Sequence, residues 1–308
     1  MSSRRIALVG NPNSGKTTIF NQLTGASQHV GNWPGVTVEK KEGSFTFKGE
    51  TYEVVDLPGI YSLGAFSEDE MVAREYILTG DADVIINVVD AGNIERNLYL
   101  TTQLLEMGQK IVVALNMADE AKKRQIRFDL DRMSERLGAP VIETVAHKGE
   151  GKDILIEAAI QVMDQPNDFV APLIYNKESA HHIDHMEELL AGHELPYPAR
   201  WTAVKIVEGD QALLDKLKSL DLGPEVEAGI EDFHKYHSRD SFELDIVDSR
   251  YSFAHGIAEE TVVRPQEDVI TLTDRIDKVV TNKWLGIPIF ALIMFIVFQL
   301  TFVVGEEL

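Results

Sequence analysis

The segment Gly10-Asn11-Pro12-Asn13-Ser14-Gly15-Lys16-Thr17 follows the apolar run Ile6-Ala7-Leu8-Val9 and precedes a helical pattern. That is the strand–loop–helix setting of G-x-x-x-x-G-K-[ST]. The loop has to curl tightly enough for successive backbone N–H groups to face phosphate oxygens at a helix N-terminus, which calls for glycine in the loop and a parallel sheet beneath it. These eight residues and Thr18 form the expected phosphate cradle, with Lys16 reaching the β- and γ-phosphates and Thr17 holding magnesium. The loop by itself leaves ATP and GTP open.

The first 165 residues fit such a sheet. The runs IALVG, EVVDLPG, VIINVVD, KIVVALN and PVIETV alternate with helical patterns such as Ile94 to Met107. This predicts an α/β domain with a mostly parallel sheet covered on both faces. VTVEKKEG and SFTFKGETYEVVD, with Lys48-Gly49 as a turn, predict one antiparallel edge hairpin. Asp56-Leu57-Pro58-Gly59 follows one strand and Asn116-Met117-Ala118-Asp119 another. Asp56 at a strand end can hold the magnesium shell, and the Gly59 N–H can bond the γ-phosphate. The Asp119 carboxylate can accept from the ring N–H and the exocyclic amine of guanine, a donor pair that adenine lacks. The cofactors expected are therefore GTP or GDP and magnesium. Between these motifs, His29 to Thr37 (HVGNWPGVT) is too rich in Gly and Pro for a helix and reads as a lid over the phosphates. Thr37 is its candidate switch residue, expected to join the magnesium shell only with triphosphate.

Composition narrows the partners. Fifty acidic against 29 basic residues give a net charge of -21, which opposes nucleic-acid binding. The absence of cysteine excludes disulfide scaffolds and thiol chemistry. DQPNDFVAP, from Asp164 to Pro172, reads as a linker, and the stretch 166–283 after it is helical in pattern, with no comparable strands, more acidic, and holds seven of the nine histidines. His181 and His185, and His234 and His237, have spacings that can grip a metal, although an exposed polar helix face explains them more simply. Asp268 to Lys283 is amphipathic. Leu285 to Val304 is a 20-residue run without a formal charge, preceded by Arg275, Lys278 and Lys283. It predicts a transmembrane helix over 284–305 with residues 1–283 in the cytoplasm, and a chain cut from a longer membrane protein.

Taken together, GNPNSGKTT, VGNWPGVTVEKKEG, VDLPGIYSL, GDADVIINVVDAGNIERNLYLT and ALNMAD, continued by RWTAVKIVEGD and DRIDKVVTNKWLGIPIF, resemble the ferrous iron transport protein B family. The resemblance implies a P-loop G domain over 1–165, an all-helical regulatory domain over 166–283 and a first transmembrane helix. It also implies a parent protein that imports Fe2+ across a bacterial inner membrane. The partners it implies are the chain's own membrane half, small accessory proteins and a homo-oligomer. By the same resemblance Asn13 coordinates a potassium ion that stabilises charge on the phosphates, so that Asn13, Lys16, Thr37 and Gly59 form the expected catalytic set. The guanine-supporting loop is Glu143 to Gly149, with Val145, Ala146 and His147 at the base. Ala146 aligns with the usual serine, and losing that hydroxyl predicts looser discrimination of GTP from ATP. Ile60 stands where many small GTPases carry a water-orienting glutamine, which predicts slow turnover and keeps open a non-catalytic nucleotide sensor.

Overall fold

The computed structural model describes residues 4–25, 27–166, 174–220, 222–236, 239–265, 280–284 and 286–306. The first region runs β1 (Arg4–Gly10), α1 (Lys16–Thr24), β2 (Gln28–Asn32), β3 (Glu39–Phe47), β4 (Glu50–Asp56), α2 (Glu68–Leu78), β5 (Val84–Asp90), α3 (Ile94–Glu106), β6 (Ile111–Asn116), α4 (Ala118–Lys123), β7 (Arg127–Phe128), α5 (Leu130–Leu137), β8 (Val141–Glu143) and α6 (Lys152–Asp164). The second runs α7 (Lys177–Leu190), α8 (Ala199–Glu208), α9 (Gln211–Lys218), α10 (Pro224–Tyr236), α11 (Arg239–Thr261) and β9 (Val262–Val263), and α12 (Gly286–Glu306) follows.

Period-two alternation builds the layers. In β1, Ile6 and Leu8 face one core and Ala7 and Val9 the other, all fully buried. With both faces apolar, a strand belongs inside a sheet covered on two sides. The sheet has the order β2-β3-β4-β1-β5-β6-β8, antiparallel across β2, β3 and β4 and parallel elsewhere. Helices α1 and α6 cover one face and α2, α3 and α5 the other. The β3–β4 hairpin turns at Lys48 (φ 49°) and Gly49 (φ 89°), the pair of left-handed residues a tight hairpin uses.

Two expectations change here. His29–Asn32, the first part of the expected lid, belong to an edge strand, Gln28–Asn32, paired with Glu39–Gly43, because an edge strand pairs on one side only and tolerates Gly31. The second region also contributes a short strand, β9, antiparallel to β7. The linker over 164–172 and the amphipathic stretch over 268–283 fall largely outside the described residues.

The second region adds helices to the α2–α3 face, and its core is continuous with that face through Trp201, Val204, Ile246 and Ile257. A chain of ion pairs crosses the junction. Arg250 of α11, fully buried, donates to Glu106 of α3 at 2.7 and 2.8 Å and to Glu208 of α8 at 2.7 Å. Lys205 reaches Glu208 at 2.7 Å and Asp210 at 3.8 Å, and Arg74 of α2 reaches Asp210 at 2.7 Å. Three cations face three carboxylates, so the buried charges balance. Burial pushes the Glu208 carboxyl up, but Arg250 and Lys205 outweigh it and hold the group far below the usual range.

The apolar run does form a helix, α12, whose described side chains through Phe302 are mostly exposed, Phe290 and Phe302 among them. The expected transmembrane helix is not borne out among the described residues, where no helix is long and apolar enough to cross a membrane.

Candidate nucleotide site

The phosphate loop is shaped by close packing against its neighbours. A Cβ at Gly10 would lie 2.5 Å from the Val88 carbonyl, so β1 can end there against β5 only with glycine. Asn13 (φ 65°) and Gly15 (φ 89°) take left-handed conformations that turn the loop into α1. Asn13 and Thr18 are exposed, whereas Asn11 and Ser14 are buried with their side-chain polar atoms unpartnered. Beneath the loop, Lys16 Nζ pairs with Asp56, and both side chains are buried. Thr17 Oγ1 donates to the second Asp56 oxygen at 3.3 Å. The segment after β4 is stitched to β1 by Leu57 N donating to Leu8 O at 3.1 Å and Ile60 N to Gly10 O at 3.2 Å. A Cβ on Gly59 would meet Pro12 Cα at 3.3 Å, so the two loops touch through glycine. Lys16, Thr17, Asp56 and Gly59 line one cleft of about 210 Å3 with Val38 and Asp69. Ile60 is 3% exposed and packs into the core, so its side chain cannot reach a water in that cleft.

Thr37 is not brought to this cluster. It lies exposed, and its Oγ1 donates to Glu68 at the start of α2 over 3.3 Å. The lid folds back on itself, with Trp33 N donating to Val38 O at 2.9 Å and the Trp33 ring edge-on to Tyr76 of α2 at 5.4 Å. The switch threonine thus sits with α2 and apart from Thr17 and Asp56.

At the other end, Asn116 organises the base loop. Its Nδ2 donates to Ser14 O at 2.8 Å, while its Oδ1 accepts from Ala146 N at 2.9 Å and Thr144 Oγ1 at 3.3 Å. Ala146 thus contributes a backbone N–H, and the hydroxyl that reaches Asn116 comes from buried Thr144, two residues earlier. Met117 (φ 62°) turns the chain so that Asp119 stands in the first turn of α4. Asp119 Oδ2 accepts from Lys148 Nζ at 2.8 Å and lies 3.5 Å from His147 Nε2, and Oδ1 is buried without a partner. Hydrogen bonding to Lys148 holds the Asp119 carboxyl below its usual range and pushes the ammonium up. Thr144 and Lys148 went unrecognised in the sequence, although Lys148 directly follows the expected base loop.

Among the described residues the histidines form no second site. His181 and His185 are exposed on α7, His182 packs against Phe233 and Phe242, and the His234 side chain and His237 lie outside the described residues. Among the described residues no group of three or more His, Cys, Asp or Glu can hold a metal ion.

The family model described as Ferrous iron transport protein B matches residues 4–159, and the FeoB cytosolic helical domain matches 175–263. The chain is 41% identical over its full length to the Fe(2+) transporter FeoB of Salmonella typhimurium, of which it covers 40%. It is 42% identical over 98% of its length to an Fe(2+) transport protein A/Fe(2+) transporter FeoB fusion protein of Porphyromonas gingivalis, of which it covers 37%. The chain thus spans well under half of these curated relatives. Among solved structures, the cytosolic domain of T. maritima FeoB in apo form superposes with a TM-score of 0.76 at 38% identity, over 85% of this chain and all of that one. The same domain in a GMPPNP form gives 0.75 at 36% identity, over 84% of this chain and 99% of that one. One model accounts for half of the residues, a second for the helices behind it, and the common fold runs through both, so the chain belongs to the ferrous iron transport protein B family.

Proposed function

We propose that residues 1–165 bind GTP and GDP with magnesium and hydrolyse GTP slowly, and that the helical region relays the bound state to the rest of a longer Fe2+ transporter at the cytoplasmic face of a bacterial inner membrane. The observation that carries this is the Lys16–Asp56–Thr17 cluster, in which an ammonium, a carboxylate and a hydroxyl from two elements meet under the left-handed turn of the loop. Solved T. maritima relatives in GDP and GMPPNP forms support a site that accepts both a diphosphate and a triphosphate analogue. The fusion relative supports a small accessory protein as a partner.

In this reading Lys16 exchanges Asp56 for the β- and γ-phosphate oxygens, and the Gly59 N–H meets the γ-phosphate. Thr17 Oγ1 and the Asp56 carboxylate, 3.3 Å apart, are hard oxygen donors that fit magnesium, which when bound neutralises charge building on the phosphates. Thr37 joins them once it leaves Glu68. The exposed Asn13 amide oxygen is a fitting donor for potassium. Asn116, Met117 and Asp119, with Val145, Ala146 and His147, hold the base. A second reading, a sensor whose turnover is incidental, is favoured by the burial of Ile60, which leaves no side chain there to orient water.

Phosphate release with GTP and ATP in potassium and sodium buffer, for the parent chain, Asn13→Ala and Asp119→Ala, tests both. The GTPase reading expects potassium-stimulated GTP turnover, stimulation lost in Asn13→Ala and base preference lost in Asp119→Ala. Tight GTP binding without turnover would hand the lead to the sensor, and equal turnover of ATP would mark a promiscuous nucleotidase.

A further inference from the structure

We infer that Lys148 is a specificity-determining residue of the base site: its ammonium occupies the Asp119 oxygen that a second base donor needs, so the exocyclic amine of guanine is read only after Lys148 withdraws. The inference rests on the guanine reading proposed above.

The two Asp119 oxygens are unequal. Oδ1 is buried and unpartnered, whereas Oδ2 faces Lys148 Nζ at 2.8 Å and His147 Nε2 at 3.5 Å. The turn Ala146–Lys148 is closed by Lys148 N donating to Val145 O at 2.9 Å and by Val145 N donating to Glu150 O at 3.1 Å. These bonds hold the lysine beside the carboxylate. Its side chain is 45% exposed against 14% for Asp119, so the flexible ammonium, not the carboxylate, is the partner able to swing into water. The charges of Glu150 and Glu120 also push its pKa up, so it stays an ammonium when it leaves Asp119.

Base chemistry then separates two ligands. Guanine offers a ring N–H and an exocyclic amine on one edge, and hypoxanthine offers the ring N–H alone. The single donor of hypoxanthine is satisfied by the buried, unpartnered Oδ1 and leaves Lys148 in place. Guanine needs Oδ2 as well and has to break the ion pair. Lys148 therefore blunts discrimination in favour of the amine, by up to about five-fold if the pair is worth what exposed ion pairs usually are.

The test is equilibrium binding of GDP, IDP and ADP to the parent chain, Lys148→Met, which keeps the apolar stem, and Lys148→Arg, which keeps the charge. The expected result is a GDP:IDP affinity ratio about two- to five-fold higher in Lys148→Met, arising from tighter GDP with IDP unmoved. Lys148→Arg should stay at or below the parent ratio. An unchanged ratio, or weaker GDP binding, in Lys148→Met overturns the inference while leaving the guanine reading intact. A parent chain that does not prefer GDP to ADP overturns the guanine reading itself. Lys148→Gln, with melting temperatures for every variant, keeps the comparison decisive should the Met variant fold poorly.

Discussion

Gly15 and Ile60 show how single positions set what the site can do. Any side chain at Gly15 meets two obstacles, a φ of 89° and the Asn116 amide, whose Nδ2 would lie 2.1 Å from the new Cβ. That amide ties the phosphate loop to the base loop through Ser14 and Ala146. Gly15→Ala is expected to destabilise the fold by about 1–3 kcal/mol and to abolish GDP binding in a calorimetric titration. Binding at the parent level would show that Asn116 is not the link. Ile60 invites the opposite experiment, restoring a glutamine. Because the side chain points into the core, Ile60→Gln should bury an amide without a partner, lower stability by about 1–3 kcal/mol and leave phosphate release no faster. A faster enzyme would mean that the loop can turn this residue outward. The motif residues themselves were legible, since G-x-x-x-x-G-K-T fixes both backbone and chemistry. Thr144 and Lys148 were not, because their roles arise only when the β8–α6 loop closes over Asn116 and Asp119, a contact between segments about 30 residues apart that no local pattern encodes.

Among elements, legibility followed how much of each pattern is local. β1, β5 and β6 announce themselves because their buried residues are apolar apart from Asn87 in β5 and Asn116 at the end of β6, and the β3–β4 hairpin because its turn is Lys48-Gly49. β2 was hidden, since its pairing with β3 is the only thing that makes QHVGN a strand. The helices α3, α8 and α11 are joined by something a hydrophobic pattern cannot show, the buried Glu106–Arg250–Glu208–Lys205 chain. Glu208→Gln removes one carboxylate from this balanced set, leaves cationic charge uncompensated, and should cost about 3–5 kcal/mol at neutral pH. Its pH dependence has a definite sign. The folded pKa of Glu208 lies below its unfolded value, so its contribution is complete above the ordinary carboxylate pKa of about 4.3. It is lost as pH falls below that value toward the folded pKa. Denaturation of the two proteins in urea should therefore show a gap that is constant from about pH 7 to pH 5 and narrows in stronger acid. A gap that widened in acid would contradict the assignment.

For the molecule as a whole, α2 is the piece shared by the nucleotide site and the helical region. It follows the Gly59 loop in the chain, receives Thr37 at its first turn through Glu68, and docks on the helices by Arg74 to Asp210 at 2.7 Å and by Tyr197 Oη donating to Glu75 at 2.7 Å. The Arg74 guanidinium also lies 4.9 Å over the Trp201 ring. Asp210 caps α9 by accepting from Leu213 N at 3.0 Å, so the carboxylate that holds α2 also starts a helix of the second region. Next to this contact, a cavity of about 610 Å3 lies between the segment after the Gly59 loop, lined there by Ser62, Gly64 and Phe66, and Gly209–Ala212 of the helical region. A displacement of α2 by a γ-phosphate at that loop would be felt at Asp210 through Arg74. Arg74→Met alone leaves Asp210 with Lys205, at 3.8 Å, as its remaining cationic partner and should destabilise the chain by about 3–5 kcal/mol, whereas Arg74→Met with Asp210→Asn should recover most of that loss. If the pair is the mechanical link, amide exchange along α9 will differ between GDP and GMPPNP in the parent chain and become indifferent to nucleotide in the double variant at equal stability. If α9 still responds to nucleotide in the double variant, the pair is not the link, and Tyr197→Phe tests the second contact of α2, Tyr197 to Glu75, in the same way.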